Sequence, residues 1–304
     1  QLHLYKRLGK LWQYGVNLDW DKVNPDGTRV PLPTYPFMRK KFWLEAASFQ
    51  PQAASSQQLA RKPIEDWYYV PSWKRHTPVF SAKDSTYKQK RRLIFAEQSK
   101  VSELLTQKVQ QLSEQCIVVC KSAQRQQIRG NEFAINPGQD EDYDWLFQQL
   151  KDSSFTPDEV IHMWSLEEAG ALPSLEMTLD NGYYSLLAIA KEFGKHFDGH
   201  SLELKVLANG VCSVADVGKL NPQKSIMLGP IKVIPLEYPT IRCHLFDSDF
   251  TSEANALEKA LDSFVRPLLS QTWNGIVAYQ NKHFWLPTHE AVSFDPSDSM
   301  ELKP

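Results

Sequence analysis

Residues 92–96 (RLIFA) and 116–120 (CIVVC) are two short apolar runs, and the stretch between them has the spacing of a helix. In residues 102–115 the apolar side chains recur at Leu104, Leu105, Val109 and Leu112. The two runs have the length and composition of buried strands. A strand, a helix and a second strand in this order predict a β–α–β unit with parallel strands.

The same alternation continues through the rest of the chain. Further strands are predicted at 66–73, 160–166, 202–208, 241–246, 276–279 and 283–286, and further helices at 142–150, 182–193 and 253–269. Strands that alternate with helices indicate a layered α/β domain with a mostly parallel sheet. We therefore expect one α/β domain over residues 65–290.

The remaining stretches have a different composition. Residues 1–45 are rich in aromatic and basic side chains and contain PLPTYPF at 31–37, whose prolines favour extended backbone, so we expect an extended arm. Residues 46–64 and 291–304 are expected to be linkers. Exposed aromatic side chains bury large areas in contacts between domains. The candidate interdomain anchors are Trp12, Trp20, Tyr35, Phe37, Trp43, Trp67, Tyr69 and Trp73.

Composition excludes several classes of protein. The 304 residues contain 34 basic and 36 acidic side chains, a formal net charge of −2, which gives no reason to expect a nucleic-acid-binding protein. No apolar run approaches the roughly 18–20 residues of a membrane span. The four cysteines fit a reducing compartment, so we expect a cytoplasmic location. Charge is segregated: residues 61–100 are basic and residues 138–180 acidic, which indicates two solvated faces or a docking surface for another domain or carrier.

The motifs of common α/β enzymes are absent from the sequence. It contains no G-x-G-x-x-G, P-loop, G-x-S-x-G or H-E-x-x-H string, and no Tyr is followed four residues later by a Lys. His196 and His200 flank two residues and a glycine, which favours a helix end and an exposed loop over a metal site. As an alternative, a self-contained enzyme would have to draw its acids and bases from His162, Asp247 and Glu237.

Several strings resemble one family. Residues 11–20 (LWQYGVNLDW), 30–37 (VPLPTYPF) and 41–43 (KFW) are similar to the segment that follows the acyltransferase in modular type I polyketide synthases. Residues 66–74 (DWYYVPSWK) resemble the opening strand of the ketoreductase region of these synthases. The later strings that agree with this region lie at 160–166, 182–187, 228–239, 274–279 and 283–285.

The resemblance implies a post-acyltransferase linker followed by the ketoreductase structural subdomain, a truncated Rossmann-like domain without catalytic residues or cofactor of its own. Such a subdomain braces a following catalytic subdomain, where NADPH is expected to bind. The implied partners are that subdomain and the acyltransferase and ketosynthase of the same polypeptide, with an acyl carrier protein as a further candidate. Two alternatives stay open: the structural subdomain of an inactive ketoreductase, and a carrier-protein docking module.

Overall fold

The computed structural model describes residues 2–23, 25, 66–79, 86–166, 173–214, 220–250 and 254–292. The chain divides into two compact units, Gln1–Ala60 and Arg61–Pro304. The linkers expected at 46–64 and beyond residue 292 lie outside the described residues, as do the candidate anchors Tyr35, Phe37 and Trp43.

The described part of the first unit is helical. Helix α1 covers Leu2–Gln13 and helix α2 covers Trp20–Val23. The extended conformation expected for the whole of residues 1–45 is therefore wrong for these two stretches. The reason is visible in the sequence: Leu4, Leu8 and Leu11 recur at helical spacing, and the first proline comes only at Pro25. No side chain of α1 is buried.

The second unit is built on one ten-stranded sheet. Its strands are β1 (Tyr68–His76), β2 (Arg91–Ala96), β3 (Gln115–Lys121), β4 (Gln126–Arg129), β5 (Glu132–Ile135), β6 (Glu159–Ser165), β7 (Leu202–Ala208), β8 (Ile241–Ser248), β9 (Gly275–Gln280) and β10 (His283–Val292). Their spatial order is β1-β10-β9-β8-β7-β6-β2-β3-β5-β4. The central pairings from β5 to β9 are parallel, and the antiparallel pairings lie at the two sides of the sheet.

Helices cover both faces of this sheet. The helices are α3 (Lys100–Gln111), α4 (Asp140–Asp152), α5 (Leu175–Thr178), α6 (Ser185–His196), α7 (Leu228–Glu237) and α8 (Ala254–Ser270). One core contains α4, α6 and α7, and the other contains α3 and α8. Every residue of β6 and β7 is buried, as expected for parallel strands between two helical layers. No helix in the described part of the chain is long and apolar enough to cross a membrane.

The mostly parallel, Rossmann-like α/β architecture is confirmed, with some differences in detail. Strand β7 has the predicted bounds, and β10 continues past the expected domain end at 290 to Val292. The sequence does not predict β4, β5 or α7. Both short strands contain only four residues, and α7 contains Pro235, which normally breaks a helix.

A buried ion network lies at the amino ends of the central strands. Glu159 of β6 pairs with Arg92 of β2 at 2.5 Å and with Lys205 of β7, and all three side chains are buried. Arg92 also donates to the hydroxyl of Ser113 at 2.7 Å. Removing one partner from such a network leaves a buried charge uncompensated, so its members depend on each other.

Glu203 extends the network toward solvent, where it contacts Lys90 at 2.6 Å and Arg242 at 3.1 Å. Burial alone would raise the pKa of Glu203. The positive charges of Lys205, Lys90 and Arg242 outweigh burial and lower this pKa to about 2.

Candidate functional site: the carboxyl edge of the sheet

The strand order locates the place where an α/β sheet of this kind binds ligands. From β2 the chain proceeds in one direction to β3 and β5, and later in the other direction through β6, β7 and β8. The topological switch point therefore lies between β2 and β6. In doubly wound sheets, ligands bind beyond the carboxyl ends of the strands at this point. We call the carboxyl ends of β2, β6, β7 and β8, with the loops that follow them, the carboxyl edge.

The turn after β2 contains no glycine. Ser99 caps α3 by accepting a hydrogen bond from the backbone N–H of Ser102 at 3.2 Å, and the Ser102 hydroxyl accepts one from the N–H of Glu97 at 2.9 Å. Glu97 also pairs with Lys121 at the end of β3. A dinucleotide-binding turn needs glycines so that the backbone can approach the pyrophosphate. This turn instead bears serine side chains that accept hydrogen bonds from its own backbone N–H groups.

Aromatic side chains fill the crevice between β2 and β6. Trp164 is completely buried, and its indole N–H donates to the carbonyl oxygen of Ala96 at 3.1 Å. Its ring meets Phe95 edge to face, with centroids 5.0 Å apart. His162 precedes Trp164 by two residues on β6 and is also buried. Its ring nitrogen Nε2 lies 3.0 Å from the Ser185 hydroxyl. Burial lowers the pKa of His162 to about 3, which keeps the ring neutral.

A buried lysine joins the ends of β6 and β7. The Lys224 ammonium donates to the carbonyl oxygens of Ser165 at 2.9 Å and Asn209 at 3.1 Å. It also donates to the side-chain oxygen of Asn209 at 2.5 Å. Lys224 is 3% exposed, so the ammonium contributes its hydrogen bonds to the interior and presents no charge to an incoming ligand.

A buried aspartate holds the loop that follows β7. Asp247 at the end of β8 accepts hydrogen bonds from the backbone N–H groups of Val211 at 3.0 Å and Cys212 at 2.7 Å. Burial raises the pKa of Asp247 to about 6, although these backbone donors act in the opposite direction. Backbone donors therefore take the place of a ligand at this carboxylate.

The segment before α6 closes over the same edge. Residues Leu179–Tyr184 form a π-helical turn, and Gly182 in this turn packs against Met227 and Ser165. A Cβ atom at Gly182 would lie 2.9 Å from the Met227 side chain and 3.1 Å from the Ser165 hydroxyl. The glycine is required here for close packing of protein on protein.

An open groove of about 530 Å³ lies outside the turn after β2. Its lining includes the carboxylates of Glu97, Glu103 and Glu132. It also includes Cys120, and burial raises the pKa of this thiol, so Cys120 is poorly suited to act as a nucleophile. Three carboxylates against one ammonium, that of Lys100 at 3.4 Å from Glu103, make the groove an unfavourable surface for the phosphates of a nucleotide.

The described anchor candidates occur in two separate groups. Trp12 and Trp20 are 57% and 45% exposed, with ring centroids 6.1 Å apart. Trp67 and Tyr69 are 45% and 52% exposed at the start of β1, whereas Trp73 is half-buried. Residues 67, 69 and 73 share one face of the strand because side chains alternate. Their role as anchors stays a prediction.

The acids and bases considered for a self-contained enzyme lie in three different places. His162 is in the middle of the sheet, Asp247 is bound by backbone N–H groups, and Glu237 lies at the end of α7. His196 has partners that the sequence did not indicate: it contacts Asp144 and Glu192, while His200 is exposed. The spacing of Glu192 and His196, four residues apart on one helix, was the one feature of the sequence that could have indicated their contact.

Comparison with known proteins connects this architecture to one family. The profile of the beta-ketoacyl synthase-like, N-terminal family matches residues 90–265, more than half of the chain. Polyketide synthase PksM of Bacillus subtilis (strain 168) is 21% identical over 170 residues, which is 54% of this chain and 4% of that protein. The chain therefore spans only a small part of this curated relative.

Two solved structures share the fold. An N-terminal ketoreductase from the macrolactin assembly line has a TM-score of 0.57 at 19% identity, over 74% of this chain and 45% of that one. A C2-type ketoreductase from a modular polyketide synthase has a TM-score of 0.54 at 17% identity, over 76% of this chain and 44% of that one. The chain belongs to the beta-ketoacyl synthase-like, N-terminal family, and its resemblance to the ketoreductase region of modular polyketide synthases is confirmed.

Proposed function

We propose that this chain is a non-catalytic scaffold of a modular polyketide synthase. In this proposal it braces an NADPH-dependent ketoreductase catalytic subdomain and tethers it to the acyltransferase of the same polypeptide. The observation that carries the proposal is the filled carboxyl edge. The switch point of the sheet, where a dinucleotide would lie, contains buried Trp164 and a turn without glycine.

The residues of the carboxyl edge do not fit a dinucleotide. A pyrophosphate on the amino end of α3 would approach the carboxylates of Glu97 and Glu103. It would also compete with the hydrogen bonds through which Ser99 and Ser102 complete the first turn of α3. A nucleotide in the crevice between β2 and β6 would have to displace Trp164 from its bond to Ala96. We therefore assign no cofactor-binding or catalytic step to this chain.

Strand β1 offers a surface for the catalytic subdomain. It lies at one side of the sheet, and its only strand neighbour among the described residues is β10. Exposed Trp67 and Tyr69 lie at its beginning. A strand at the side of a sheet is open to pairing, and large aromatic side chains bury much area in an interface. These properties suit contact with a second domain of the same polypeptide.

Helix α1 supports the tethering role. Leu4, Leu11 and Trp12 of this helix are 60%, 47% and 57% exposed. An amphipathic helix whose apolar face is exposed in isolation is typical of a segment that packs on another domain. In the proposed assembly this other domain is the acyltransferase.

The test is NADPH-dependent reduction of a β-ketoacyl thioester surrogate. The 304-residue chain would be compared with the longer synthase segment that contains it and the following subdomain. We expect activity in the longer segment alone. Activity in the 304-residue chain would refute the scaffold proposal.

Two controls make this result specific. In the longer segment, Tyr69→Ser should lower the activity or the thermal stability of the catalytic part, whereas Leu236→Ser, at a 79% exposed position on α7, should change neither. If the longer segment folds but does not reduce the substrate, the alternative of an inactive ketoreductase is favoured. Saturable binding of an acyl carrier protein that weakens with salt would favour the docking-module alternative.

A further inference from the structure

Three potential metal ligands meet between α4 and α6 in one helical layer. Asp144 belongs to α4, and Glu192 and His196 lie one turn apart on α6. One ligand atom from each residue lies within 4.8 Å of the others. The Nε2 atom of His196 is 2.7 Å from an Asp144 carboxylate oxygen and 3.6 Å from a Glu192 carboxylate oxygen.

The Glu192 carboxylate has an unusual environment. Glu192 is only 2% exposed, and its Oε2 atom makes no hydrogen bond. This oxygen is the one directed at His196. A buried carboxylate oxygen without a hydrogen bond is costly, and a cation at this point would compensate it. This oxygen has ion-pair contacts with Lys195 at 3.4 Å and His196 at 3.6 Å but no hydrogen bond, so a closer cation would satisfy it better.

The ammonium of Lys195 supplies part of the positive charge beside the carboxylates of Asp144 and Glu192. The Lys195 ammonium lies 2.6 Å from Asp144 and 3.4 Å from Glu192 Oε2. The Lys195 side chain is 55% exposed, so it can turn into solvent without unpacking the core. The hydrogen bonds from Lys195 and His196 lower the pKa of Asp144 to about 2, so its carboxylate is ionised at neutral pH.

We propose that Asp144, Glu192 and His196 form a binding site for a divalent transition-metal ion, with Zn²⁺ as the best match. Imidazole nitrogen and carboxylate oxygen are both donors that Zn²⁺ takes in proteins, whereas Ca²⁺ and Mg²⁺ prefer oxygen donors alone. Ligand atoms around a tetrahedral zinc ion at about 2.0–2.1 Å lie roughly 3.3 Å apart. To reach this arrangement, the Asp144–His196 contact would open from 2.7 Å, the Glu192–His196 contact would shorten from 3.6 Å, and the two carboxylates, now within 4.8 Å, would take the same spacing.

Binding would exchange the Lys195 ammonium for the ion, release to solvent the proton that His196 Nε2 donates to Asp144, and join α4 to α6. The three residues provide three ligands, so a water molecule would complete a four-coordinate site. Lys191 lies 3.4 Å from the other oxygen of Glu192 and holds this carboxylate in place. The site would thus consist of one partly exposed ligand, Asp144, and two ligands on the buried side.

The test is titration of the 304-residue chain with Co²⁺, followed by absorption spectroscopy, and with Zn²⁺, followed by calorimetry. We expect one ion per chain, with a Co²⁺ spectrum that lacks a thiolate charge-transfer band. Asp144→Asn and His196→Ala should each weaken binding at least about tenfold, since even an outer partner of a metal ligand contributes about 10–100-fold. Asp144 is half-exposed, so the Asn variant keeps the test valid if His196→Ala fails to fold.

Two further variants separate this site from others. His200→Ala removes an exposed histidine four residues away and should leave binding unchanged. Lys195→Met removes the competing ammonium and should tighten binding. The proposal is overturned if neither the wild type nor Lys195→Met binds Zn²⁺, if Asp144→Asn binds like the wild type, or if a thiolate band shows that the free cysteines hold the ion.

Discussion

Buried charged side chains lie at both ends of the central sheet, but in the described part of the chain they have different kinds of partner. At the amino end, Arg92, Glu159 and Lys205 are buried charges that compensate each other. At the carboxyl edge, Lys224 and Asp247 are buried as well, but backbone carbonyl oxygens and N–H groups supply most of their hydrogen bonds. The first end is held by pairs of side chains, the second mainly by side chains bound to loops.

The acids at the two ends differ in the direction of their pKa. Positive neighbours lower the pKa of Glu203 at the amino end to about 2, whereas burial raises that of Asp247 at the carboxyl edge to about 6. The surroundings therefore stabilise the charged form of the acid at the amino end and disfavour the charged form of the acid at the carboxyl edge. Aromatic side chains thus fill the crevice between β2 and β6, while the buried polar groups beside it bind the protein's own loops.

The largest effect is expected from Glu159→Ala at the amino end. The substitution leaves Arg92 and Lys205 buried without their carboxylate, which should lower the free energy of unfolding by about 3–5 kcal/mol. Urea unfolding followed by fluorescence measures this change. Asp262→Asn is the matched control, because its pair with Lys108 is exposed, and it should cost at most about 1 kcal/mol. Equal costs would remove the distinction between buried and surface pairs.

At the carboxyl edge, Lys224→Met should have a smaller effect. The side chain keeps its apolar length but loses the donor to the Ser165 and Asn209 carbonyl oxygens, so the free energy of unfolding should fall by about 1–3 kcal/mol. The same urea measurement gives this value. If Lys224→Met destabilises more than Glu159→Ala, the amino end is not the more charge-dependent end of the sheet.

The pH dependence of stability should differ between the two ends. A raised pKa means that the folded chain holds the Asp247 proton more tightly than the unfolded chain does. The contribution of Asp247 to the free energy of unfolding is fully present below about pH 4 and is lost as the pH rises through about 6. The free energy of unfolding changes over this range by at most about 1.4 kcal/mol per pH unit. Asp247→Asn should remove this slope, as measured by urea unfolding between about pH 4 and 7.

Glu203→Gln should reveal a pH dependence of stability opposite in sign to that of Asp247. The lowered pKa of Glu203 gives a contribution that is present above about pH 4.5 and is lost as the pH falls toward about 2. Wild type and Glu203→Gln should therefore converge in stability at low pH. Parallel stability curves for wild type and either variant would contradict the assigned pKa direction at that end.

The smallest effect is expected from Tyr69→Ser in the 304-residue chain. The side chain is 52% exposed, so its replacement should change the free energy of unfolding by no more than about 0.5 kcal/mol. Thermal unfolding of the isolated chain checks this value. A large loss would mean that Tyr69 supports the fold of this unit, and its proposed role as an anchor would be refuted.

The fold was largely predictable because it depends on local periodicity. Strand β6 reads as an apolar run, β7 alternates like a strand, and α8 has a helical pattern, so most strands and helices were predicted within a few residues. Helix α7 was not predicted, because Pro235 argues against a helix and only packing on the sheet outweighs it. Helix α1 was not predicted, because the extended backbone that the prolines of residues 31–37 favour was expected for all of residues 1–45.

The closed carboxyl edge was only half predictable. The missing glycine motif is visible in the sequence, but the groups that replace a ligand are not. Trp164 and Ala96 are 68 residues apart, and Lys224 and Ser165 are 59 apart, so no local pattern links them. The same holds for Asp144 and His196, whose contact depends on how α4 and α6 pack. A missing motif can be read directly from the sequence, whereas the side chains that occupy the ligand's place depend on tertiary packing.

The ladder between β1 and β10 has a consequence for how the unit is built into a chain. These are the first and the last described strands of the unit, and they pair from Tyr68 with Val292 to His76 with Phe284. The polypeptide thus arrives and departs side by side, about 4.5–5.5 Å apart. A unit with adjacent ends can be inserted into, or removed from, a long polypeptide without redirecting the flanking segments.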